Sequence, residues 1–498
     1  MADSGKIIVR SAGITACFFL LCFFTSKAAD NLWQFDPELQ KAHALILALR
    51  TDEAFTLLSH TPPKTNELNK LYLLSFCETV DILITEDETK FRTVEAHFRN
   101  RLVYLESLPV RAETLFLEAE LNLQLGFNYL NLSQELNAVL AIRKAYYLVQ
   151  ECQKKYPGFI PIKKTSGVIQ VMVGSVPEKY HWFISLLGMK GSVVAGQRQL
   201  EELKASKSSL HSEATILYFT IKGFINQQYD ESAKGILEYL KTEPDNRLLM
   251  FLAVNMLVKN SQSEEAYTLI QNLDQHSNGL PIYYVEYLRG EVLMQRGDYP
   301  GAILAYQKFI AGYRSQSFKK DSYYKISLCY WLENKYDLAK QNYEKAKKTG
   351  RDVAEPDKYA ALQLEDATFP NPKILKVRFY TDGGYYKEAQ ETLQSILPSD
   401  LSTLKDQTEY YYRKARLAHK TGELSAAKLF YQQSIDMAGS NPWYFAPNSA
   451  LQLGYIAKAQ KDFPMARKYF EKAMSYKKHE YKSSIDTKAK LALEEIRN

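Results

Sequence analysis

Apolar residues recur at helical spacing in the first part of the chain. Between Asn66 and about Tyr156 the sequence is almost free of glycine, and Ala138, Ile142 and Tyr146 follow one another four residues apart. This period predicts long packed helices. The Pro-Gly pair at 157–158 is expected to end the last of them.

The stretch from Tyr287 to Phe309 predicts one complete helical hairpin. Gly290 lets two helices approach closely, and Gly297-Asp298-Tyr299 forms the turn between them. The aspartate of that turn is a good N-cap for the second helix. Ala302 and Tyr306 lie four residues apart, so they share the inner face of the second helix.

The same hairpin pattern recurs from about residue 206 onward. A small residue takes the equivalent place in each second helix, at Ser232, Ala266, Ala302, Ala339, Ala389, Ala427 and Ala466. The intervals are 34, 36, 37, 50, 38 and 39 residues, a period typical of stacked repeats. The longest interval contains Gly350 to Pro372, which predicts a long inter-repeat loop with one extra helical turn. A polar-faced helix from Ser483 to Asn498 is expected to cap the stack.

The order of Gly or Ala, turn, Ala, aromatic and small residue resembles the tetratricopeptide repeat. The resemblance implies an all-α fold, a right-handed α-solenoid of helical hairpins preceded by an N-terminal helical region. A second resemblance is to the tetratricopeptide repeat protein 39 family and its fungal, Iml-type outer membrane relatives. It is carried by Pro177, Leu187-Gly188-Met189, Gly191, Gly196 and Leu200.

The N-terminus is typical of a secretory signal peptide. Lys6 and Arg10 precede an apolar run from Ala12 to Phe24, and Ser26-Lys27-Ala28 follows. We expect cleavage after Ala28 and export, to a bacterial periplasm. The run is shorter than the roughly 20 residues that span a bilayer, so an uncleaved anchor is the less favoured alternative, as is a lipid on Cys22.

These features divide the chain into three parts. The predicted parts are the signal peptide over 1–28, an N-terminal helical region over 29–205, and a tetratricopeptide-like solenoid with its capping helix over 206–498.

Charge and cysteine content exclude several classes of protein. The net charge is +6, and it falls to +4 without the leader, which is too small to indicate nucleic-acid binding. The mature chain keeps three widely spaced cysteines, Cys77, Cys152 and Cys329, so neither a disulfide framework nor a zinc motif is predicted.

One segment has the glycine spacing of a phosphate-binding loop, from Gly191 to Arg198. Gln197-Arg198 stands where Lys and a hydroxyl would be needed, so close helix packing is the favoured interpretation. The eight histidines are scattered, and no nucleophile motif occurs. We therefore predict a non-enzymatic protein without cofactor or metal.

Aromatic and basic side chains fall on the face that tetratricopeptide repeats use for binding. The resemblance places the second, fifth, ninth and twelfth residues of each first helix on a concave groove. The predicted partner-binding residues are Tyr284, Tyr287, Glu291, Tyr324, Trp331, Arg378, Tyr412, Arg416, His419, Tyr455 and Lys458. Tyr, Trp and Arg are the types that most often carry binding energy.

Two functions fit these observations. The first is an exported scaffold that holds an extended segment or helix of another protein of the cell envelope in its groove. The second is a lipid-associated or carrier protein, the role that the second resemblance implies, with at most peripheral membrane contact.

Overall fold

The chain was analysed as a computed structural model that describes residues 33–61, 66–176, 180–352, 354–365 and 368–496. The predicted leader and Pro177 lie outside these ranges. Within them every regular element is a helix, and no strand occurs. The prediction of an all-α fold built from helical hairpins is confirmed.

The described part of the N-terminal region begins with seven helices, most of them long. Asp36 caps the first, where its side chain accepts a hydrogen bond from the backbone N–H of Leu39 at 2.9 Å. The long helices predicted between residues 66 and 156 are present. The bounds of the seven helices are α1 (Pro37–Leu47), α2 (Thr51–His60), α3 (Glu67–Thr85), α4 (Glu88–Glu106), α5 (Ala112–Asn131), α6 (Glu135–Lys155) and α7 (Ile162–Gly174).

Two shorter helices follow, α8 (His181–Leu186) and α9 (Val193–Lys204). Helix α9 carries Gly196, the second glycine of the phosphate-loop-like segment, and packs against α7. A Cβ on Gly196 would lie 2.4 Å from the carbonyl oxygen of Gly167, so this contact requires glycine. The glycines serve close helix packing, as the favoured interpretation predicted.

The remaining helices form the repeats. They are α10 (His211–Phe224), α11 (Tyr229–Leu240), α12 (Arg247–Lys259), α13 (Ser263–Gln275), α14 (Tyr284–Arg296), α15 (Tyr299–Gly312), α16 (Lys319–Leu332), α17 (Tyr336–Lys348), α18 (Glu355–Gln363), α19 (Pro372–Gly383), α20 (Tyr386–Gln394), α21 (Leu404–Lys420), α22 (Leu424–Ala438), α23 (Phe445–Ala459), α24 (Phe463–Ser475) and α25 (Lys482–Glu495). All seven small residues of the predicted register are fully buried at 0% exposure. The register is therefore correct, because only small side chains fit where paired helices touch.

The long interval between Ala339 and Ala389 differs from the prediction. Instead of a loop with one helical turn it contains α18, a helix of nine residues. Beyond it, α19 packs directly against α14 as well as against α20 and α21. Tyr380 of α19 lies close to the α14–α15 turn, with its hydroxyl 3.0 Å from where a Cβ of Gly297 would stand.

The N-terminal region and the repeats also meet at points far apart in the chain. The N–H of Leu280 donates to the carbonyl of Leu49 at 2.8 Å. Arg314, before α16, pairs with Asp87 at the start of α4 at 2.6 Å. One apolar core extends from Trp33 to Phe379 across the predicted boundary at residue 205.

A fully buried ionic network holds five helices of the first half together. We call it the Lys164 network: His43 (α1), Tyr72 (α3), Glu120 (α5), Lys164 (α7) and Glu213 (α10). Lys164 Nζ lies 2.7 Å from Glu120 and 2.5 Å from Glu213, and the Tyr72 hydroxyl donates to Glu213 at 2.7 Å. His43 Nε2 lies 2.8 Å from Glu213. Each charge has a counter-charge within hydrogen-bonding distance.

Candidate partner-binding groove

The predicted binding residues all lie on first helices of hairpins, but they form two unlike groups. Helices α14 and α16 carry Tyr284, Tyr287, Glu291, Tyr324 and Trp331, and α19, α21 and α23 carry Arg378, Tyr412, Arg416, His419, Tyr455 and Lys458. Tyr287, Glu291 and Trp331 of the first group are bonded to other residues of the repeats. The second keeps partly exposed positive charge.

The first group is organised around a lysine that the sequence analysis did not select. Lys325 Nζ lies 2.5 Å from Glu291 and 2.7 Å from Asp321, and it donates to the hydroxyl of Tyr287 at 2.8 Å. Tyr287 in turn donates to Asp321 at 2.7 Å. We call these four residues, Tyr287, Glu291, Asp321 and Lys325, the Lys325 cluster.

Electrostatics in the Lys325 cluster favour a charged amine on Lys325 and a protonated phenol on Tyr287. Burial opposes the charge of Lys325, but Asp321 and Glu291 outweigh it and raise its pKa. Burial and the same two carboxylates hold the pKa of Tyr287 well above its usual value, so the phenol stays protonated. The hydrogen bonds of the cluster are thus satisfied within the protein.

Several predicted binding residues of this group are packed away from solvent. Tyr287 and Tyr324 are only 3% and 5% exposed. Tyr284 stacks on Tyr287, with ring centroids 5.1 Å apart. The Trp331 indole donates to the carbonyl of Pro370 at 3.0 Å and stacks on Phe369 at 4.8 Å. These side chains support the repeats from within, and a contact with a partner through them stays a prediction.

Two arginines of the second group, Arg378 and Arg416, lie near one carboxylate, Asp382, at the end of α19. Its oxygens lie 3.7 Å from Arg378 and 4.0 Å from Arg416, beyond hydrogen-bonding distance. The two arginine side chains keep 26% and 22% of their exposure. The hydroxyl of Tyr359 is a further partner of Arg378, at 3.1 Å.

The other members of this group have partners of their own. Tyr412 is 2% exposed, and its hydroxyl accepts a hydrogen bond from Asn448 at 2.6 Å. Tyr455 packs edge to face on Phe470, with centroids 5.4 Å apart. Lys458 pairs with Glu495 of the capping helix and keeps 30% of its side-chain exposure.

Positive charge accumulates beyond Arg416. Burial and the charges of Arg416 and Lys420 lower the pKa of His419 to about 4, so this ring is neutral at physiological pH. Burial and the charges of Arg416 and Lys259 likewise lower the pKa of Lys488 to about 8. We call Lys259, Arg416, Lys420 and Lys488 the basic cluster.

The sequence analysis missed most of the basic cluster. Lys420 lies four residues after Arg416 on α21, and this spacing could have indicated it. Lys259 closes α12 and Lys488 lies on the capping helix α25. Because these two residues are far apart in the chain, no local pattern indicates that the charge of Lys259 acts on Lys488.

Two further observations concern the described residues. None of their helices is both long and apolar enough to cross a membrane. They also contain no group of three or more His, Cys, Asp or Glu side chains placed to hold a metal ion.

Comparison with known proteins identifies the repeat type. Residues 320–349, 408–441 and 447–480 match the family model for the tetratricopeptide repeat. They coincide with α16–α17, α21–α22 and α23–α24. A search of curated proteins finds no match.

The solved structures that this chain resembles have low sequence identity to it. The Cut9–Hcn1 hetero-tetramer of the APC/C is 13% identical, with 93% of this chain and 91% of that chain covered and a TM-score of 0.31. The human IFIT1 dimer with PPP-AAAA is 12% identical, with 89% and 95% covered and a TM-score of 0.31. A Rap protein complexed with competence and sporulation factor is 14% identical, with 80% and 96% covered and a TM-score of 0.31.

Proposed function

We infer, from the tetratricopeptide repeats that this chain carries, that it is a non-enzymatic scaffold which binds a segment of another protein. Repeats of this type generally act as protein-interaction scaffolds. The observation that carries the proposal is the incomplete pairing of Arg378 and Arg416, whose shared carboxylate lies 3.7 and 4.0 Å away. Partly exposed arginines among tyrosines are favourable anchors for a polypeptide.

The groove for this partner is formed by α19, α21, α23 and α25. Arg416 and Lys458 are partly exposed on first helices of neighbouring hairpins. We do not include the Lys325 cluster in this groove, because its polar groups are already hydrogen-bonded within the protein. We therefore assign binding to the C-terminal repeats rather than to the whole predicted face.

Site-specific photo-crosslinking tests this assignment. A photoreactive phenylalanine analogue replaces Lys458 in the groove or Leu304, which is 62% exposed on the second helix α15. We expect one polypeptide to crosslink from position 458 and not from 304, and the crosslink to be lost when Arg416→Gln is added. Equal crosslinking from both positions would contradict a groove in the C-terminal repeats.

Export is a separate part of the proposal and rests on the leader sequence. The apolar run and the Ser-Lys-Ala ending favour cleavage after Ala28 and a protein of the cell envelope. N-terminal sequencing of the protein from its native cell should begin at Ala29. A sequence that begins at Met1, in a protein that resists extraction from membranes by salt and alkali, would support the anchor instead.

A lipid-associated role is the second candidate, and one surface favours it. Trp182 and Leu186 lie four residues apart on α8 and are 67% and 73% exposed. The adjoining Leu187 carbonyl accepts hydrogen bonds from Arg143 and Tyr147 of α6, the helix that also exposes Leu140. Apolar side chains beside an arginine suit a membrane interface.

Vesicle flotation distinguishes this role. If α8 contacts lipid, Trp182→Ser with Leu186→Ser should abolish co-flotation of the protein with anionic vesicles. The exposed pair Leu304→Ser and Leu429→Ser, on second helices of the repeats, is the matched control. Absence of the original protein from the vesicle fraction would exclude the role.

A further inference from the structure

One short helix interrupts the regular order of the hairpins. Helix α18 lies between the hairpin α16–α17 and the hairpin α19–α20. It packs chiefly against the first helix α16. Ala360 on this helix is fully buried, whereas Lys358 and Leu362 are exposed. The longest interval between repeats thus places a separate helix against the face that first helices form.

The beginning of α18 binds the beginning of α16. The carboxylate of Asp357 accepts hydrogen bonds from the backbone N–H groups of Phe318 at 2.6 Å and of Asp321 at 2.9 Å. The aspartate is fully buried. These N–H groups lie at the positive end of the α16 dipole, which favours a carboxylate. The start of α16 therefore forms a site for one carboxylate.

The tyrosine two residues later reaches the proposed groove. The Tyr359 hydroxyl accepts a hydrogen bond from Arg378 Nη1 at 3.1 Å, and the guanidinium carbon lies 5.5 Å from the centre of the Tyr359 ring. Tyr481, immediately before α25, stacks on the same ring with centroids 5.1 Å apart. Gln363 donates to Glu480 at 3.2 Å. Because three hairpins separate α18 from α25 in the chain, α18 reaches across them.

We propose that α18 is an internal occupant of the groove, and that the partner displaces it with a segment of the same chemistry, a carboxylate two residues before an aromatic side chain. This inference rests on the proposed function and names what the partner carries. Arg378 is an anchor of the proposed groove and also the arginine that Tyr359 contacts, so α18 and the partner compete for it. A partner that also contacts Arg416 has a second anchor.

Two features of α18 suit an occupant that can be displaced. It has nine residues, fewer than the roughly 12–15 that an isolated helix needs in water, so its position depends on its contacts. Burial raises the pKa of Asp357 to about 6, although the two backbone N–H groups oppose the shift. The charge of this carboxylate is therefore held at a cost in free energy at neutral pH.

Binding of a peptide copy of α18 tests the proposal. The probe is a fluorescent peptide with the sequence of residues 354–364, AEPDKYAALQL. Two control peptides replace its aspartate by asparagine or its tyrosine by alanine. The test variant of the protein carries Tyr359→Ala. The matched control carries Leu362→Ala on the same helix, at a side chain that is 44% exposed.

We expect the probe to bind the Tyr359→Ala protein about tenfold more tightly than the original protein or the Leu362→Ala control, because the α18 of this variant lacks the ring that contacts Arg378 and Tyr481. Both control peptides should bind the Tyr359→Ala protein about tenfold more weakly than the probe does. Adding Arg378→Gln to this protein should also weaken the probe about tenfold. Circular dichroism should show the same helical content in all these proteins.

Photo-crosslinking from position 458 separates this inference from the proposed function. If the partner competes with α18, Tyr359→Ala should raise the yield of the partner crosslink and Leu362→Ala should not. Equal yields in both variants, with no binding of the probe, would overturn this inference and leave the groove in place. Absence of both the crosslink and probe binding would overturn both. Equal binding of all three peptides would overturn the proposed carboxylate and aromatic specificity.

Hydrogen exchange in the original protein does not depend on a variant. An isotope-labelled copy of the probe should displace α18 at millimolar concentration, which matches the effective concentration of a tethered segment. Deuterium uptake in residues 355–363 of the protein should then rise, whereas uptake in α24 should stay the same. Mass spectrometry distinguishes the two copies by mass. Unchanged uptake in α18 at this peptide concentration would overturn the proposal.

Discussion

Two lysines in this protein have opposite surroundings. Lys164 is buried in the N-terminal region, where Glu120 and Glu213 lie within 2.7 Å and outweigh the effect of burial on its pKa. Lys488, in the C-terminal repeats, has cations for neighbours and no carboxylate partner among the described residues. Lys164 is thus paired with carboxylates, whereas Lys488 has no carboxylate partner in the described part of the chain.

The difference separates structural charge from charge available for binding. A buried polar network stabilises a fold when every member is satisfied. The Lys164 network and the Lys325 cluster meet that condition. The basic cluster does not, and an uncompensated charge in a groove is a reasonable indication of a ligand site.

The largest expected loss of stability comes from removing the cation of the Lys164 network. Lys164→Met leaves Glu120 and Glu213 buried without their cation, so it should lower the free energy of unfolding by about 3–5 kcal/mol. Urea denaturation measures the loss. Lys163→Met is the control, because Lys163 pairs with Glu202 at the surface and its removal should cost about 0–1 kcal/mol. Similar small losses in both variants would show that the network is not structural.

Acid should weaken the same network. Burial would raise the pKa of Glu213, but Lys164 and His43 outweigh it and hold the pKa at about 2, against 4.5 for a free side chain. Between these values the unfolded chain binds more protons, so stability is lost as the pH falls from about 4.5 to about 2, on the order of 3 kcal/mol. Urea unfolding across this range should show a smaller decline for Glu213→Gln. An equal decline would assign the acid sensitivity to other groups.

Packing should govern the stability of the C-terminal repeats. Ala466 is fully buried between paired helices, so Ala466→Leu should overpack the contact and cost about 1–3 kcal/mol in thermal unfolding. The neighbouring Met465 is 39% exposed, and Met465→Leu should change stability little. If Ala466→Leu unfolds at the original temperature, the repeat register is wrong at this hairpin.

The smallest expected change is a gain in the free energy of unfolding rather than a loss. Because the pKa of Lys488 is lowered to about 8 from 10.5, its protonation is less favourable in the folded protein than in the unfolded chain. Lys488→Met should therefore stabilise the protein near pH 7 by about 1 kcal/mol, reduced from the full shift because the side chain is partly exposed. The benefit should disappear as the pH rises toward 10. Destabilisation by Lys488→Met would contradict the contrast with Lys164.

The sequence predicted most of the fold because hairpin signals are local. Asp298 caps α15 as expected, accepting from the N–H of Gly301 at 3.0 Å, and Gly297 adopts the left-handed conformation of the turn. The extra helix α18 was underestimated, since its Pro- and Asp-rich start also suits a loop. The binding face was predicted only by helix position, which does not reveal that Tyr287 and Tyr324 are buried.

The sequence alone determined the helices, their caps and the repeat register, because these depend on residues within about one hairpin of each other. Tertiary structure alone decided which charges meet. Lys164 gains Glu120 and Glu213 from distant helices, and the charge of Lys259, from an early repeat, acts on Lys488. The distance between charges on different hairpins depends on how the hairpins stack, and small changes in packing at each hairpin accumulate along the stack. A local sequence pattern therefore does not predict which distant charges come close together.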